Sequence, residues 1–523
     1  MGLHNEVIMS WQNELEDLEH RKTLAKKMGG PDKVQRQHDN GKLTVRERMD
    51  RFLDPQSFQE IGSLTGSGEY DENGRLVDFT PANQVIGRGS VDGRPVVVYG
   101  DDFTVRGGAA DGAIKEKQYY PEHMANAMRI PLIRLVDGTG GGGSAKKLDK
   151  IGYANLPGSS AWDVVFDNLS TVPVVALALG SVAGVGAARV AAAHYSLMIK
   201  STSQIFVAGP PLVAALGQKV TKEELGGAQI HARNGTVDDE VESEEEAFAQ
   251  TRRFLSYMPR SVDELPPRKS IGDDPKRREE KLLTIVPKDA KKVYQMRAII
   301  NSVVDKDSFF EIGKLWGRSM ITGFARFDGW PVAVIAEDPY FYGGAWTKSS
   351  CDKLIRFIDM AQTFHFPVVH LVDCPGFAIG VEHEKDSTIR LGVRAMAAVT
   401  QTTVPWCSVI IRKVFGVAGG GHRPAGRFTS RYSWPSGTWG SIPFAGGVEV
   451  AYKAEIAAAD NPEEKTAEIK RRLESIGKPF RGAERFIVEE IIDPRDTRRY
   501  LCDFAGLSAT LPKLGQSRQQ FRP

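Results

Sequence analysis

The chain has 523 residues, 41% apolar and 26% charged, with a formal net charge of +2 at pH 7. So even a balance leaves no electrostatic footprint for nucleic acid or an anionic membrane, and apolar runs such as Val172 to Val182 fall short of the roughly 20 residues of a spanning helix. The length exceeds what one core serves and suits two domains of about 200–250 residues.

From the N-terminus, Glu6 to Met28 reads as a polar helix with Trp11, Leu15, Leu18 and Leu24 on one side, ended by Gly29-Gly30-Pro31. It is an extension suited to packing on a neighbour, within residues 1–50. It has no signal-peptide core, and Met1-Gly2 lacks the Ser or Thr at position 6 of a myristoylation signal. A cytoplasmic or organelle-matrix setting follows, the mitochondrial matrix in a eukaryote. Val96 to Tyr99, Leu132 to Val136 and Val174 to Leu179 read as buried strands, with a helix at Pro121 to Arg129 between two of them. Strands apolar on both faces and separated by helices make an α/β fold with largely parallel sheets. The acidic run Glu240 to Glu246 reads as a solvated helix face. A Pro-rich and charged stretch, 266–284, links a first domain at 51–265 to a second at 285–523. Cys351, Cys374, Cys407 and Cys502 are scattered without a Cys-x-x-Cys, which argues against a disulfide framework and a zinc ribbon.

The two domains copy each other. Asp92-Gly93-Arg94-Pro95-Val96 reappears as Asp328-Gly329-Trp330-Pro331-Val332, an offset of 236. The same offset pairs Asp102 with Asp338, Gly107-Gly108-Ala109 with Gly343-Gly344-Ala345, and Leu135-Val136-Asp137 with Leu371-Val372-Asp373. Beyond a four-residue indel, Thr171-Val172-Pro173 pairs with Thr403-Val404-Pro405 and Gly184-Val185 with Gly416-Val417, at offset 232. Upstream, Asp54 to Gly62 matches Asp305 to Gly313. One domain-sized fold is used twice.

The chemistry-bearing signal is a pair of small-residue turns where a strand gives way to a helix: Ser181 to Ala188, and Gly416-Val417-Ala418-Gly419-Gly420-Gly421. Such a turn can aim backbone N–H groups at an oxyanion beside a helix N-terminus; small residues also serve plain helix–sheet packing. Two copies at homologous strand ends favour the oxyanion reading. Gly138 to Gly143 fits Gly-x-Gly-x-x-Gly only formally, since no capping helix or acid-ended strand follows. It suits a loop over a pocket. No Gly-x-Ser-x-Gly elbow is present, and His383-Glu384-Lys385-Asp386-Ser387 breaks the helical zinc pattern, so no metal site is expected. His194 and His422 lie near the two turns, either assisting there or serving the core. Two oxyanion sites without a side-chain nucleophile suit substrates that form enolates, such as thioesters.

At these residues the chain resembles the carboxyltransferase (β) subunits of biotin-dependent acyl-CoA carboxylases, built from two tandem crotonase-like domains. The resemblance rests on Gly41-Lys-Leu-Thr-Val-Arg-Glu-Arg48, Ile205 to Pro211, Glu223 to Ala228, Tyr294-Gln-Met-Arg297, Asp373-Cys-Pro-Gly-Phe377 and Arg412 to Gly416. It implies acyl-CoA binding at Ala183, Gly184, Val185 and Gly186, with Gly184 and Val185 stabilising the thioester enolate. It likewise implies carboxybiotin binding at Gly416, Val417, Ala418 and Phe377, with Val417 and Ala418 stabilising the ureido oxygen. The chain departs from the family's Ala-Gly-Gly-Ala at Val185 and from its Gly-Gly-Ala-Tyr-Asp at Val417 to Gly420. Gly420 stands where the family's Asp resembles a gatekeeper of acyl size. Phe377 to Glu384 is similar to the methylcrotonyl-CoA branch and Gly446 to Val450 to the propionyl-CoA and acetyl-CoA branch, so the acyl group stays open.

The resemblance further implies a homohexamer within a larger complex. The biotin would ride on a partner, because the chain has no Met-Lys-Met tripeptide and no phosphate-cradling loop for ATP. A biotin carboxylase and carrier subunit would supply both. Rival readings are a decarboxylase or transcarboxylase subunit running the same half-reaction, a non-catalytic assembly subunit, and a hydratase or isomerase, which would need a pocket Glu and leaves the duplication unexplained.

Overall fold

The computed structural model describes residues 10–109, 114–138, 149, 152–153, 161–269, 272–424, 429–441 and 444–523. The chain divides into two compact units. The first takes the residues up to Asn168, Val172–Ile230 and Glu240–Arg252; the second takes Leu169–Thr171, His231–Asp239 and Arg253 onward. Residues from Arg253 join the second unit because Arg253 donates to the carbonyls of Asp307 and Phe309 at 3.0 and 2.8 Å, and Tyr257 stacks on Phe310 and Phe324. The stretch expected as a linker is tied down as well. Arg277 pairs with Asp273 at 3.1 Å and donates to the carbonyls of Ser302 and Val304.

In chain order the strands up to residue 241 are β1 Gln59–Ile61, β2 Gly66–Tyr70, β3 Leu76–Pro81, β4 Gln84–Val91, β5 Arg94–Asp101, β6 Leu132–Val136, β7 Val174–Ala178, β8 Ser181–Ala183, β9 Tyr195–Ile199, β10 Gln204–Phe206 and β11 Asp239–Val241. Among the described residues the main sheet runs β1-β4-β5-β6-β7-β9-β11. Its β4–β5 pair is antiparallel, and β5 to β9 are parallel. The second unit follows with β12 Phe310–Ile312, β13 Met320–Phe327, β14 Trp330–Glu337, β15 Val368–Cys374, β16 Trp406–Phe415, β17 Ser430–Ser433, β18 Thr438–Gly440 and β19 Glu490–Ile491, ordered β12-β13-β14-β15-β16-β17-β19 with β18 on β16. Here too an antiparallel pair, β13–β14, leads into parallel β14-β15-β16. The central strands β6, β7 and β15 are buried on both faces, which is why they read as continuous apolar runs.

The duplication extends to backbone detail. Asp92 and Gly93 take φ 51° and 75°, and Asp328 and Gly329 take φ 49° and 78°, the left-handed pair that a tight hairpin needs. Asp54 accepts from the N–H groups of Asp92 and Gly93 at 3.0 and 2.8 Å, and Asp305 from those of Asp328 and Gly329 at 3.0 and 2.7 Å. A carboxylate thus holds each hairpin.

Three local expectations change. The helix expected from Pro121 starts at Lys115 and carries Pro121 inside it. The proline forfeits the bond to the Lys117 carbonyl, a loss offset by burial of Pro121, Met124 and Ala125. The acidic run is solvated at Glu242, Glu245 and Glu246 but not throughout: β11 ends at Val241, and Glu244 opens the helix Glu244–Tyr257 as a buried partner of Arg48 at 2.7 Å. The N-terminal helix spans Gln12–Lys26 with Leu24 and Ala25 buried, while Trp11 and Leu15 are exposed. Residues 1–9 of that extension, and 139–148 of the glycine loop, lie outside the described residues. All four cysteines are free and buried. Among the described residues no helix is long and apolar enough to cross a membrane.

Candidate functional site

In the first unit β7 ends at Ala178, and the chain continues through β8 beside β10 in parallel register, with Ala183 opposite Phe206. Gly184 then takes φ 60° and ψ −121°, and the helix Val185–Ala191 begins. That backbone strains any L side chain, so glycine is required. The N–H of Gly184 donates to the Phe206 carbonyl at 3.2 Å, which corrects its expected place as a donor: Gly184 turns the chain. Val185 and Gly186, as the first helical residues, have N–H groups without an intrahelical acceptor. Val185 is 41% exposed. Beside these two residues lies a small pocket of about 30 Å³ that opens to solvent, also lined by Tyr99, Asp101, Gln118 and Arg189.

Buried polar groups brace this end of the sheet. Arg134 of β6 forms a two-point ion pair with Glu122, both contacts 2.9 Å, and donates to the carbonyls of Arg189 at 3.0 Å and Ala192 at 2.5 Å, so it ties down the helix behind the turn. Asp101 accepts from Gln84 and from the Asp137 N–H. Burial pushes its carboxyl above the ordinary range. Asp137, fully buried, accepts from Lys42 and Arg48 at 3.0 and 2.9 Å. The Gly41–Arg48 motif therefore supplies two cations to one carboxylate at the end of β6.

In the second unit β16 ends at Phe415, Gly416 takes φ 63°, and a helix of four residues, Gly416–Gly419, runs into a 3₁₀ turn, Gly420–His422. Gly416 repeats the positive φ of Gly184, 232 residues on. Gly416 and Val417 are exposed, Val417 by 57%, while Ala418 is buried. A Cβ on Gly421 would lie 2.5 Å from the Trp346 ring, whereas one on Gly420, at φ −67°, would meet nothing within 4 Å. Phe377 is half-buried, its ring 6.2 Å from that of Trp346 and edge-on to it.

The second unit rebuilds the polar support with other residues. Asp373, the counterpart of Asp137, accepts from the Tyr294 hydroxyl at 2.7 Å, from Arg412 at 3.2 Å and from the Lys413 N–H at 3.0 Å. Burial raises its carboxyl. Arg297 of the same Tyr294–Arg297 motif pairs with Glu311 at 2.6 Å and with Asp338. Glu337, the counterpart of Asp101, bonds His370, Trp346 and the Asp373 N–H. Although burial raises its carboxyl, the interactions with His370, the Asp373 N–H and Trp346 together hold it below the ordinary range. Lys413 donates to the Gly343 carbonyl at 3.2 Å, and burial lowers its ammonium. His194 accepts from the Val174 N–H at 3.0 Å inside the core, a structural place.

Sequence reasoning found both turns and missed their supports. Arg134 with Glu122, and Glu337 with His370, carry no spacing signature; only the charge of Arg134, Glu337 and His370 inside apolar strands marks them. Among the described residues no cluster of three or more His, Cys, Asp or Glu is placed to hold a metal.

The carboxyl transferase domain family matches residues 36–520. The carboxyltransferase subunit of propionyl-CoA carboxylase from Haloferax mediterranei is 32% identical over 505 residues, covering 94% of this chain and 95% of that one. The methylmalonyl-CoA decarboxylase subunit alpha of Veillonella parvula is 30% identical, covering 93% and 94%. Among solved structures, the hexameric 12S transcarboxylase core with methylmalonyl-coenzyme A and methylmalonic acid bound matches with a TM-score of 0.87 over 99% of both chains, at 27% identity. The repeated strand–glycine–helix turns therefore sit on two crotonase-like units, and the chain belongs to the carboxyl transferase domain family as a carboxyltransferase.

Proposed function

We propose that this chain is the carboxyltransferase subunit of a biotin-dependent acyl-CoA carboxylase, moving a carboxyl group from carboxybiotin to the α-carbon, or its vinylogous position, of an acyl-CoA. The observation that carries this reading is the pair of glycines at φ 60° and 63°, Gly184 and Gly416, each standing where a strand gives way to a helix, whose first N–H groups have no intrahelical acceptor. One turn serves each substrate. Val185 and Gly186 hold the thioester oxygen as the enolate forms, in the place Ala183 to Gly186 make. Val417 and Ala418 hold the ureido oxygen, with Gly416 and Phe377 beside them.

The second turn fits such a group. Gly416, Val417 and Gly420 are exposed while Ala418 is buried behind them, so an anionic oxygen would approach the turn from the Val417 side. When bound, carboxybiotin would supply the carboxyl group and a nitrogen able to take the α-proton. The chain contributes fixed backbone dipoles, each worth about 10²–10³ in kcat at comparable sites. The biotin would be attached to a partner that also activates bicarbonate, and the chain would work as a hexamer, the assembly that the 12S transcarboxylase core forms.

A second reading keeps the chemistry and reverses the direction, as a decarboxylase or transcarboxylase subunit. It is favoured by the 30% identity to a methylmalonyl-CoA decarboxylase subunit, close to the 32% for the carboxylase subunit. The experiment is partner-dependent turnover: the pure chain should not carboxylate an acyl-CoA from ATP and bicarbonate, and should do so with its biotin carboxylase and carrier. Carboxylation by the chain alone, or no CoA binding at all, overturns the proposal; the latter outcome would mean an assembly subunit.

A further inference from the structure

The second turn has a rigidity problem that its own backbone does not solve. Gly416, Gly419, Gly420 and Gly421 fall within six residues, and glycine gives up more conformational freedom on ordering than any other residue. Its helix has four residues, well under the length at which a helix sustains itself. An oxyanion site works only if its donors are fixed before charge develops. The fixing must therefore come from neighbours.

The Trp346 ring closes against Gly421 and the Val414 backbone against Gly419. The polar part comes from His422, which follows the turn and is buried. Its Nδ1 lies 2.5 Å from the Gly419 carbonyl oxygen. Its own carbonyl accepts from the Ser408 hydroxyl on β16, whose oxygen accepts from Trp406 Nε1 at 3.1 Å. A carbonyl only accepts, so Nδ1 carries the hydrogen and Nε2 the lone pair. Nε2 is buried without a hydrogen-bond partner. Burial lowers the imidazole to about 4, so this neutral tautomer persists at neutral pH. The first copy is braced differently: Val190 stands 232 residues before His422, and Arg134 ties down that helix through the Arg189 and Ala192 carbonyls.

We propose that His422 is a positioning residue of the second turn, its Nδ1–H bond to Gly419 and its carbonyl bond to Ser408 fixing the direction of the Val417 and Ala418 N–H groups. The proposal rests on the reading of that turn as the biotin-side oxyanion site. It makes a side chain specific to one substrate's half of the reaction.

The test compares His422→Asn, which keeps a donor at the δ position, with His422→Gln, which moves it to ε, and His422→Phe, which removes it. Each is assayed in the assembled enzyme with its biotinylated partner, varying carrier and acyl-CoA separately. His422→Phe and His422→Gln should lose about tenfold or more in kcat/KM for the carrier while KM for acyl-CoA stays within about twofold, and His422→Asn should recover most of the loss. Amide hydrogen exchange without substrate, read in peptides covering 415–421, should rise in His422→Phe and return in His422→Asn. Equal damage from Asn and Phe, or acyl-CoA KM rising in step, overturns the proposal, as does unchanged exchange in His422→Phe. If the wild-type enzyme shows no partner-dependent turnover, the functional reading fails, and the exchange arm alone still decides the role of His422.

Discussion

Lys353 donates to the carbonyl of Gly313 at 2.7 Å, and Lys117, 236 residues earlier, donates to that of Gly62 at 2.8 Å. Gly62 and Gly313 both take positive φ, 66° and 69°. Each copy thus pins the turn after its first strand with a buried ammonium. Lys353 also bonds the Trp316 and Met320 carbonyls, and burial lowers both lysines to about 8.

That shift sets a pH dependence. Between about pH 8 and the ordinary lysine value of 10.5 the unfolded chain binds more protons than the folded one, so stability should rise with pH across the window. Lys353→Met should flatten the rise by about 1 kcal/mol per pH unit. Denaturant midpoints of both proteins at pH 8 and 9, below the range where tyrosines complicate the slope, measure it. Parallel slopes would contradict it.

Arg48 sits between two carboxylates, 2.7 Å from Glu244 and 2.9 Å from Asp137, with all three buried. Arg48→Met would leave two buried acids short of a counter-charge, at a cost of about 3–5 kcal/mol. Thermal unfolding of the purified variant should show a large drop in Tm. A shift of about a degree would mean that Lys42 alone neutralises the pair.

How far the sequence carried follows from what kind of residue did each job. The hairpins at Asp92-Gly93 and Asp328-Gly329 and the turns at Gly184 and Gly416 were legible because a positive φ demands glycine or a short polar residue, and the demand recurs at fixed offsets. Lys117 and Lys353 were equally duplicated, but a lysine bonding carbonyls across the fold leaves no local pattern. Glu244 looked like surface because its neighbours are acidic; its partner Arg48 is 196 residues away. Arg134 and His370 occupy one position of the repeat with different chemistry, so identity between copies did not flag them.

Gly420 offers a direct test of acyl selection. A side chain there has open space and an ordinary backbone, so Gly420→Asp should fold. If the position borders the acyl group, the carboxylate should lower kcat/KM for butyryl- and methylcrotonyl-CoA more than for acetyl-CoA, by about 10–200-fold. Equal losses across the series would limit Gly420 to supporting the turn.

Ile379 and Val381 are exposed by 90% and 70%, in the stretch that follows Phe377. Their exposure makes them the place to test for an assembly contact. If the two turns serve one reaction across a protomer boundary, Ile379→Asp with Val381→Asp should yield smaller species in sedimentation and lose activity together with assembly. Full activity in a dilute monomer would contradict an intermolecular site.

The central claim is that two backbone turns hold two oxyanions, and proline substitution at Val185 and at Val417 tests it most directly. Val185 is the first residue of its helix and Val417 the second of its own, positions near a helix start where proline is tolerated while its N–H is removed. With folding verified by Tm and sedimentation, partner-dependent carboxylation should fall about 10²–10³-fold in kcat for each variant. Turnover of Val185→Pro or Val417→Pro within about threefold of wild type, against that expectation, would show that the turn in question is packing and not chemistry.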